Sequence, residues 1–196
     1  GLIETETPVR GTASIQFVEE YGAMADVINR AGRLADLVVV AKPDRDRNIG
    51  ANSLKSALFR TGRPVLMCPP DNDVPPDFGR HVTIAWNGSL EAARAVAMTL
   101  DLVRVAESVT ILSGGKGETH GATTEELLAY YKLRGINAES HRFESRNPGE
   151  ALLEKTNELG GSLLIMGAYG HNYERETLFG GNTQAVVDKA EIPVVF

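Results

Sequence analysis

The sequence predicts an α/β fold built on a doubly wound parallel sheet, and three observations carry that expectation. Along residues 80–196, apolar runs of strand length alternate with helical patterns. One of those runs, Leu163-Leu164-Ile165-Met166, opens directly into a glycine loop (Gly167, Gly170, Gly180), and a helical pattern follows over 183–190. The order of strand, helix and X-Pro-hydrophobic strand is also written twice, on either side of a segment rich in Pro and Asp.

The later half reads element by element. Residues 81–86 form a strand, and 89–105 a helix with Ala92, Ala93, Val96, Ala97, Leu100 and Val103 at helical spacing. A strand over 108–112 precedes a helix over 123–133, where Thr123 and Glu126 have capping-box spacing. Residues 138–143 alternate as a strand. Asn147 then stands as N-cap, with Pro148 at the first helical position. Residues 163–166 and 193–196 complete five strands. Pro193, like Pro64 in the earlier half, suits the first residue of a strand, where no ladder donor is missed.

The earlier half is shorter: a strand at 13–18, a helix at 22–34, a strand at 37–40, a helix at 51–60 and a strand at 65–67. It matches only the last three strands of the later half, so two strands and two helices at its front are missing. Residues belonging before Gly1, or within the first dozen, are therefore expected to be absent. A parallel sheet of three short strands would leave an edge open. The expected organisation is a partial half over 1–70, an extended Pro-rich linker over 71–79 and a complete domain over 80–196.

Composition narrows the function classes. At 196 residues the chain can bury a proper core, and 42% apolar with 23% charged residues is ordinary for a globular protein. A net charge of −6 without a dense Lys/Arg run argues against nucleic acid as a partner. The longest apolar stretches fall far short of the roughly 20 residues a membrane helix needs, and the N-terminal residues show no signal-peptide pattern. A single cysteine, Cys68, excludes an intrachain disulfide and fits a reducing cytoplasm. Beside Pro69 at a strand end, it reads as a small hydrophobe.

Four stretches of the later half resemble the universal stress protein family. Val82-Thr83-Ile84-Ala85-Trp86-Asn87-Gly88-Ser89-Leu90-Glu91-Ala92-Ala93 is similar to its first strand, turn and helix, and Glu107 to Leu112 to its second strand. Asn147-Pro148-Gly149-Glu150-Ala151-Leu152-Leu153 resembles the start of its third helix. Met166-Gly167-Ala168-Tyr169-Gly170-His171, with Gly180 and Ile192-Pro193-Val194, resembles its closing signature. The earlier half and its linker are similar to the degenerate half of tandem members. The resemblance implies a Rossmann-like fold of the adenine nucleotide alpha-hydrolase type. It further implies a cytoplasmic stress-response role, and a final strand that pairs either half to half or between chains of a homodimer.

It also implies a site for ATP, possible with Mg²⁺. Asn87 and Gly88 would lie by the adenosine, Leu112 and Ser113 by the adenine, and Gly167, Gly170 and Gly180 by the phosphates. The chain departs from the family pattern at two positions. Asn87 replaces an acidic residue, and Gly181 stands where a Ser or Thr normally follows the third glycine; Asn182 or Thr183 could supply the missing partner from the next positions. Those departures favour a second reading, a scaffold of the same fold that binds no nucleotide. The glycines equally permit a plain strand-to-helix connection, Asn87-Gly88-Ser89 a simple turn with Ser89 as N-cap, and Trp86 a packing role.

Catalysis finds little support in the residues. The four histidines (81, 120, 141, 171) lack metal spacing, and there is no Gly-x-Ser-x-Gly elbow or Walker A order. Gly114-Gly115-Lys116-Gly117-Glu118 reads as a mobile loop. A weak ATPase acting by positioning alone is the third reading.

Overall fold

The computed structural model describes residues 3–5, 7, 9–69, 76–114, 121–168 and 181–196. In chain order the elements are β1 (Ile3–Glu4), β2 (Ser14–Ile15), α1 (Met24–Gly32), β3 (Val38–Ala41), α2 (Ala51–Arg60), β4 (Val65–Cys68), β5 (His81–Ala85) and α3 (Leu90–Met98). They continue with α4 (Leu100–Arg104), β6 (Ser108–Gly114), α5 (Thr124–Lys132), β7 (Glu139–Phe143), α6 (Pro148–Glu158), β8 (Leu163–Met166), α7 (Gly181–Lys189) and β9 (Val194–Val195).

Seven strands form one sheet in the order β3-β4-β9-β8-β5-β6-β7. All neighbours in it are parallel except β4 and β9, which pair antiparallel with Leu66 opposite Val195 and Met67 opposite Val194. The five strands expected of the later half are contiguous, and two strands of the earlier half extend them. Alternation along the strands divides the core between two faces. On β8, Leu163 and Ile165 pack with Ala92, Ala95 and Val96 of α3 and with Leu127 and Tyr131 of α5. Leu164 and Met166 face the other way, with Leu54 and Ala57 of α2, Leu153 of α6 and Val186 and Val187 of α7. Helices on both faces of a largely parallel sheet are the doubly wound arrangement the sequence predicts.

Several local expectations are corrected. The segment at 13–18 is extended only at Ser14–Ile15, and its partner is β1 in a separate two-stranded sheet. Ile15, Phe17 and Val18 stay exposed there, so nothing apolar draws this segment into the main sheet. The helix over 89–105 is interrupted at Thr99. Its hydroxyl donates to the Ala95 carbonyl at 2.7 Å, a back-bond that competes with the helical ladder. The Thr123–Glu126 capping box forms as its spacing predicts. Pro148 stands at the first position of α6, but Asn147 makes no side-chain cap. The three-stranded parallel sheet expected of the earlier half does not form: β3 and β4 join the main sheet, with β9 antiparallel beside β4 and β3 as its terminal strand. Cys68 is half-buried against the core, and burial pushes its thiol pKa up, as suits a packing residue.

One buried group is out of place energetically. Tyr131 is fully buried among apolar side chains, and its hydroxyl has no hydrogen-bond partner. Burial, with Tyr130 adjacent, pushes the phenol pKa far above its ordinary value. An unsatisfied buried hydroxyl costs about 1–3 kcal/mol. Tyr131→Phe removes that cost with little loss of packing, so it is expected to stabilise the fold by about 1 kcal/mol, a rise in Tm of about 2–4 °C. Calorimetric melting of the two proteins checks this; a lower Tm for the variant would mean the hydroxyl is satisfied.

Candidate functional site

A cavity of about 300 Å³ opens beyond the carboxyl ends of β5, β6 and β8, where ligands sit in open α/β sheets. Its apolar wall is made by Leu112 and Gly114 at the end of β6, Phe143 at the end of β7, Leu152 of α6 and Trp86 after β5. Gly114 continues β6 and pairs with Phe143, and the rest of the expected loop, Gly115 to Glu118, lies outside the described residues. A Cβ on Gly114 would clash with the Phe143 ring, which therefore lies against bare backbone. The Trp86 indole N–H donates to the Ala122 carbonyl at 3.1 Å and holds that ring in place.

Three helix N-termini reach the same cavity: α3 through Ser89, Glu91 and Ala92, α6 through Pro148, and α7 through Gly181, Asn182 and Thr183. Each ends in amides without intrahelical partners. Ser89 caps α3, its Oγ accepting from the Ala92 amide at 3.2 Å. Asn87 Oδ1 accepts from the Ser89 amide at 3.0 Å, which closes the turn between β5 and α3. The Gly149 amide of α6 is served from another element: Asn182 Oδ1 accepts from it at 3.3 Å. This explains why Asn147 need not cap. It also requires a glycine at 149, because a Cβ there would lie 2.6 Å from the Asn182 carbonyl oxygen.

Of the residues singled out in the sequence, Asn87, Leu112, Gly167, Gly181, Asn182 and Thr183 are brought together around the cavity. Gly88 is buried at φ +73° in the turn, and Ser113 is half-buried; neither is part of the lining. Gly170 and Gly180 lie outside the described residues. Gly167 serves a packing purpose, because a Cβ there would lie 2.5 Å from the Ala92 amide nitrogen and 2.6 Å from the Glu91 carbonyl carbon. Gly181, in contrast, has open space where a side chain would project. Sequence reasoning missed Phe143, Leu152 and Glu91. Phe143 ends a recognised strand beside β6, and that adjacency was the available signal.

Among the described lining residues Glu91 carries the one charged side chain, and its Oε2 is buried without a hydrogen-bond partner. Among the described residues no group of three or more His, Cys, Asp or Glu gathers to hold a metal ion. The arrangement suits binding: an apolar wall for an apolar group of the ligand, and the first-turn amides of α7 for an anion.

A family model described as the Universal stress protein family matches residues 79–196. The structure is similar to that of a universal stress protein from Archaeoglobus fulgidus DSM 4304, with TM-score 0.72 and 18% identity over 94% of this chain and 69% of that one. It is also similar to a functionally unknown protein from Pseudomonas aeruginosa PAO1, with TM-score 0.60 and 15% identity over 94% of this chain and 71% of that one. At these identities the likeness speaks to fold. A universal stress protein family protein from Arabidopsis thaliana, solved with AMP bound, is similar at TM-score 0.40 and 16% identity over 58% of this chain and 88% of that one, too slight a likeness to carry weight here. No curated protein matches the chain.

The packing role of Gly167 is testable. Gly167→Ala places a methyl group against the backbone of α3, which cannot yield as a side-chain tip would. Overpacking of this kind costs about 1–3 kcal/mol, and thermal denaturation should show a Tm lower by several degrees. An unchanged Tm would show that α3 does not press on this turn.

Proposed function

The chain belongs to the universal stress protein family, and on that premise we propose that it is a binding protein for adenine nucleotides whose occupancy alters its assembly or partners under stress. The observation that carries this reading is the meeting of an apolar wall with the first turn of α7 in one cavity. The base would lie along that wall, by Leu112, Phe143 and Leu152. A phosphate would lie on the amides of Gly181, Asn182 and Thr183, with Thr183 supplying the hydroxyl that Gly181 lacks. ATP with Mg²⁺ is the form the family implies, and such an ion is held largely by phosphates and water. No helix among the described residues is long and apolar enough to cross a membrane; the cytoplasmic setting belongs to this proposal and rests on the lone cysteine. The domain organisation proposed is a first piece to residue 70, a linker over 71–79 and a universal-stress-like domain over 80–196. Catalysis is not part of the proposal.

One observation favours the scaffold reading: Asn87, Ser89 and Asn182 each spend a side-chain oxygen inside the protein. Mass spectrometry of small molecules released on denaturation, followed by calorimetric titration with adenine nucleotides, separates the two. Nucleotide binding near one per chain is expected. Gly181→Ser, which meets no atom within 4 Å, should strengthen it about 2- to 10-fold by adding one hydrogen bond. No released nucleotide and no heat up to millimolar concentration, in either protein, would leave the scaffold reading in place.

A further inference from the structure

The geometry points to Asn87 as a site of spontaneous deamidation, where the fold converts an amide on the cavity rim into an aspartate and keeps that product. The conversion is independent of any ligand; its effect on binding rests on the reading that the cavity takes an adenine nucleotide. Of the chain's asparagines, Asn87 alone is followed by glycine. Closure of an asparagine side chain onto the next backbone nitrogen is easiest there, because glycine has no Cβ to crowd the ring that forms. Asn87 is exposed to the water the reaction consumes, and it lies in the turn between β5 and α3 rather than inside either element.

The turn brings the reacting groups together. Asn87 Oδ1 accepts from the Ser89 amide at 3.0 Å, which folds the side chain back alongside the Gly88 peptide between them. The same bond draws electron density from the carboxamide and leaves Cγ more open to attack. Gly88 holds φ +73°, a conformation that residues with a Cβ rarely adopt. A bond forms from the Gly88 nitrogen, which gives up its proton, to Asn87 Cγ, and the bond from Cγ to Nδ2 breaks with release of ammonia. Water then cleaves the new bond between Cγ and the Gly88 nitrogen, and aspartate results; nothing is oxidised or reduced. Cleavage at the main-chain carbonyl instead gives isoaspartate, with the backbone routed through the side chain and one atom longer.

The fold favours the first product. Aspartate keeps a carboxylate oxygen on the Ser89 amide, where a charged acceptor bonds more strongly than an amide does. It also sets a negative charge just before α3, where the helix dipole stabilises it. The longer backbone of isoaspartate has no room: Gly88 is buried, and a Cβ on Gly121 would already clash with its carbonyl. Because Asn87 lines the cavity, conversion exchanges an Nδ2 donor on the rim for a charged acceptor. A ligand that brings hydroxyl groups then meets a stronger partner.

Peptide mapping by mass spectrometry tests this on the full chain, incubated folded at neutral and mildly alkaline pH beside a sample held unfolded in urea. The folded chain should gain about one mass unit at Asn87, faster at the higher pH, with aspartate exceeding isoaspartate. The unfolded chain, on which the turn imposes nothing, should give mostly isoaspartate. An unchanged Asn87 in the folded chain, over the time in which the unfolded chain converts, would overturn the proposal, as would a folded product that is mainly isoaspartate. Asn87→Asp carries the product from the start and should melt no lower than the wild type; a lower Tm would show that the fold rejects it. In calorimetric titration the same variant should bind adenosine at least threefold more tightly. Equal affinities would overturn the effect on the rim and leave the binding reading intact. Absence of binding in both proteins would overturn the binding reading, with deamidation still decided by the mass measurement.

Discussion

The short strand β9 is held on both edges, and much of the architecture depends on that double pairing. It lies antiparallel to β4 and parallel to β8, and the amide and carbonyl of Phe196 exchange hydrogen bonds with Val65 at 3.0 Å. Val194 and Val195 are fully buried, so this strand also joins the cores on both faces of the sheet. Without it the strands of the earlier half would present unpaired backbone, and α1 and α2 would lose the sheet beside which they pack. Two contacts reinforce the seam. Lys42 Nζ donates to the Ala190 carbonyl at 2.8 Å, and Arg45 pairs with Asp188 at 2.6 Å. Both receive at the end of α7, so the helix that leads into β9 is tied to the earlier half at its C-terminus. Its N-terminus remains directed at the cavity.

The cavity is thus a product of topology before it is a product of particular side chains. A parallel sheet wound in both directions brings strand ends and helix N-termini to the same rim. What this sequence adds is economy with polar groups. Asn87, Ser89 and Asn182 each settle a backbone amide that the fold would otherwise leave unpaired. These residues shape the rim and keep it rigid, at the expense of the side-chain acceptors a ligand could use. The glycines at 114, 149 and 167 act similarly, each permitting a ring, a helix or a turn to approach closer than a methyl group allows. Their shared role is close packing around the cavity, which is a condition for binding rather than binding itself.

Much of this was legible in the chain. Alternating apolar patterns fixed the strands of the later half, and turn chemistry located helix starts at Ser89 and Thr123 because those caps are local, between residues three apart. Non-local solutions were hidden. Asn147-Pro148 reads as a cap followed by a first helical residue, yet the amide it should serve is taken by Asn182 from a different helix. The break at Thr99 depends on one hydroxyl choosing the Ala95 carbonyl over solvent, which spacing alone does not decide. Phe143 and Glu91 reach the cavity from strands and helices read correctly, but their meeting there follows from sheet order. The repeat of strand, helix and X-Pro strand gives no sign of how its two last strands meet; that they pair antiparallel required the structure.

Trp86 offers the most direct test of the central claim, that the cavity receives an adenine ligand. It is the chain's one tryptophan, it lines the cavity, and its indole is fixed by the Ala122 carbonyl. Its fluorescence should therefore change saturably as adenosine is added, with a midpoint that matches calorimetry. No change up to millimolar adenosine, in protein whose cooperative melting confirms the fold, would contradict the account.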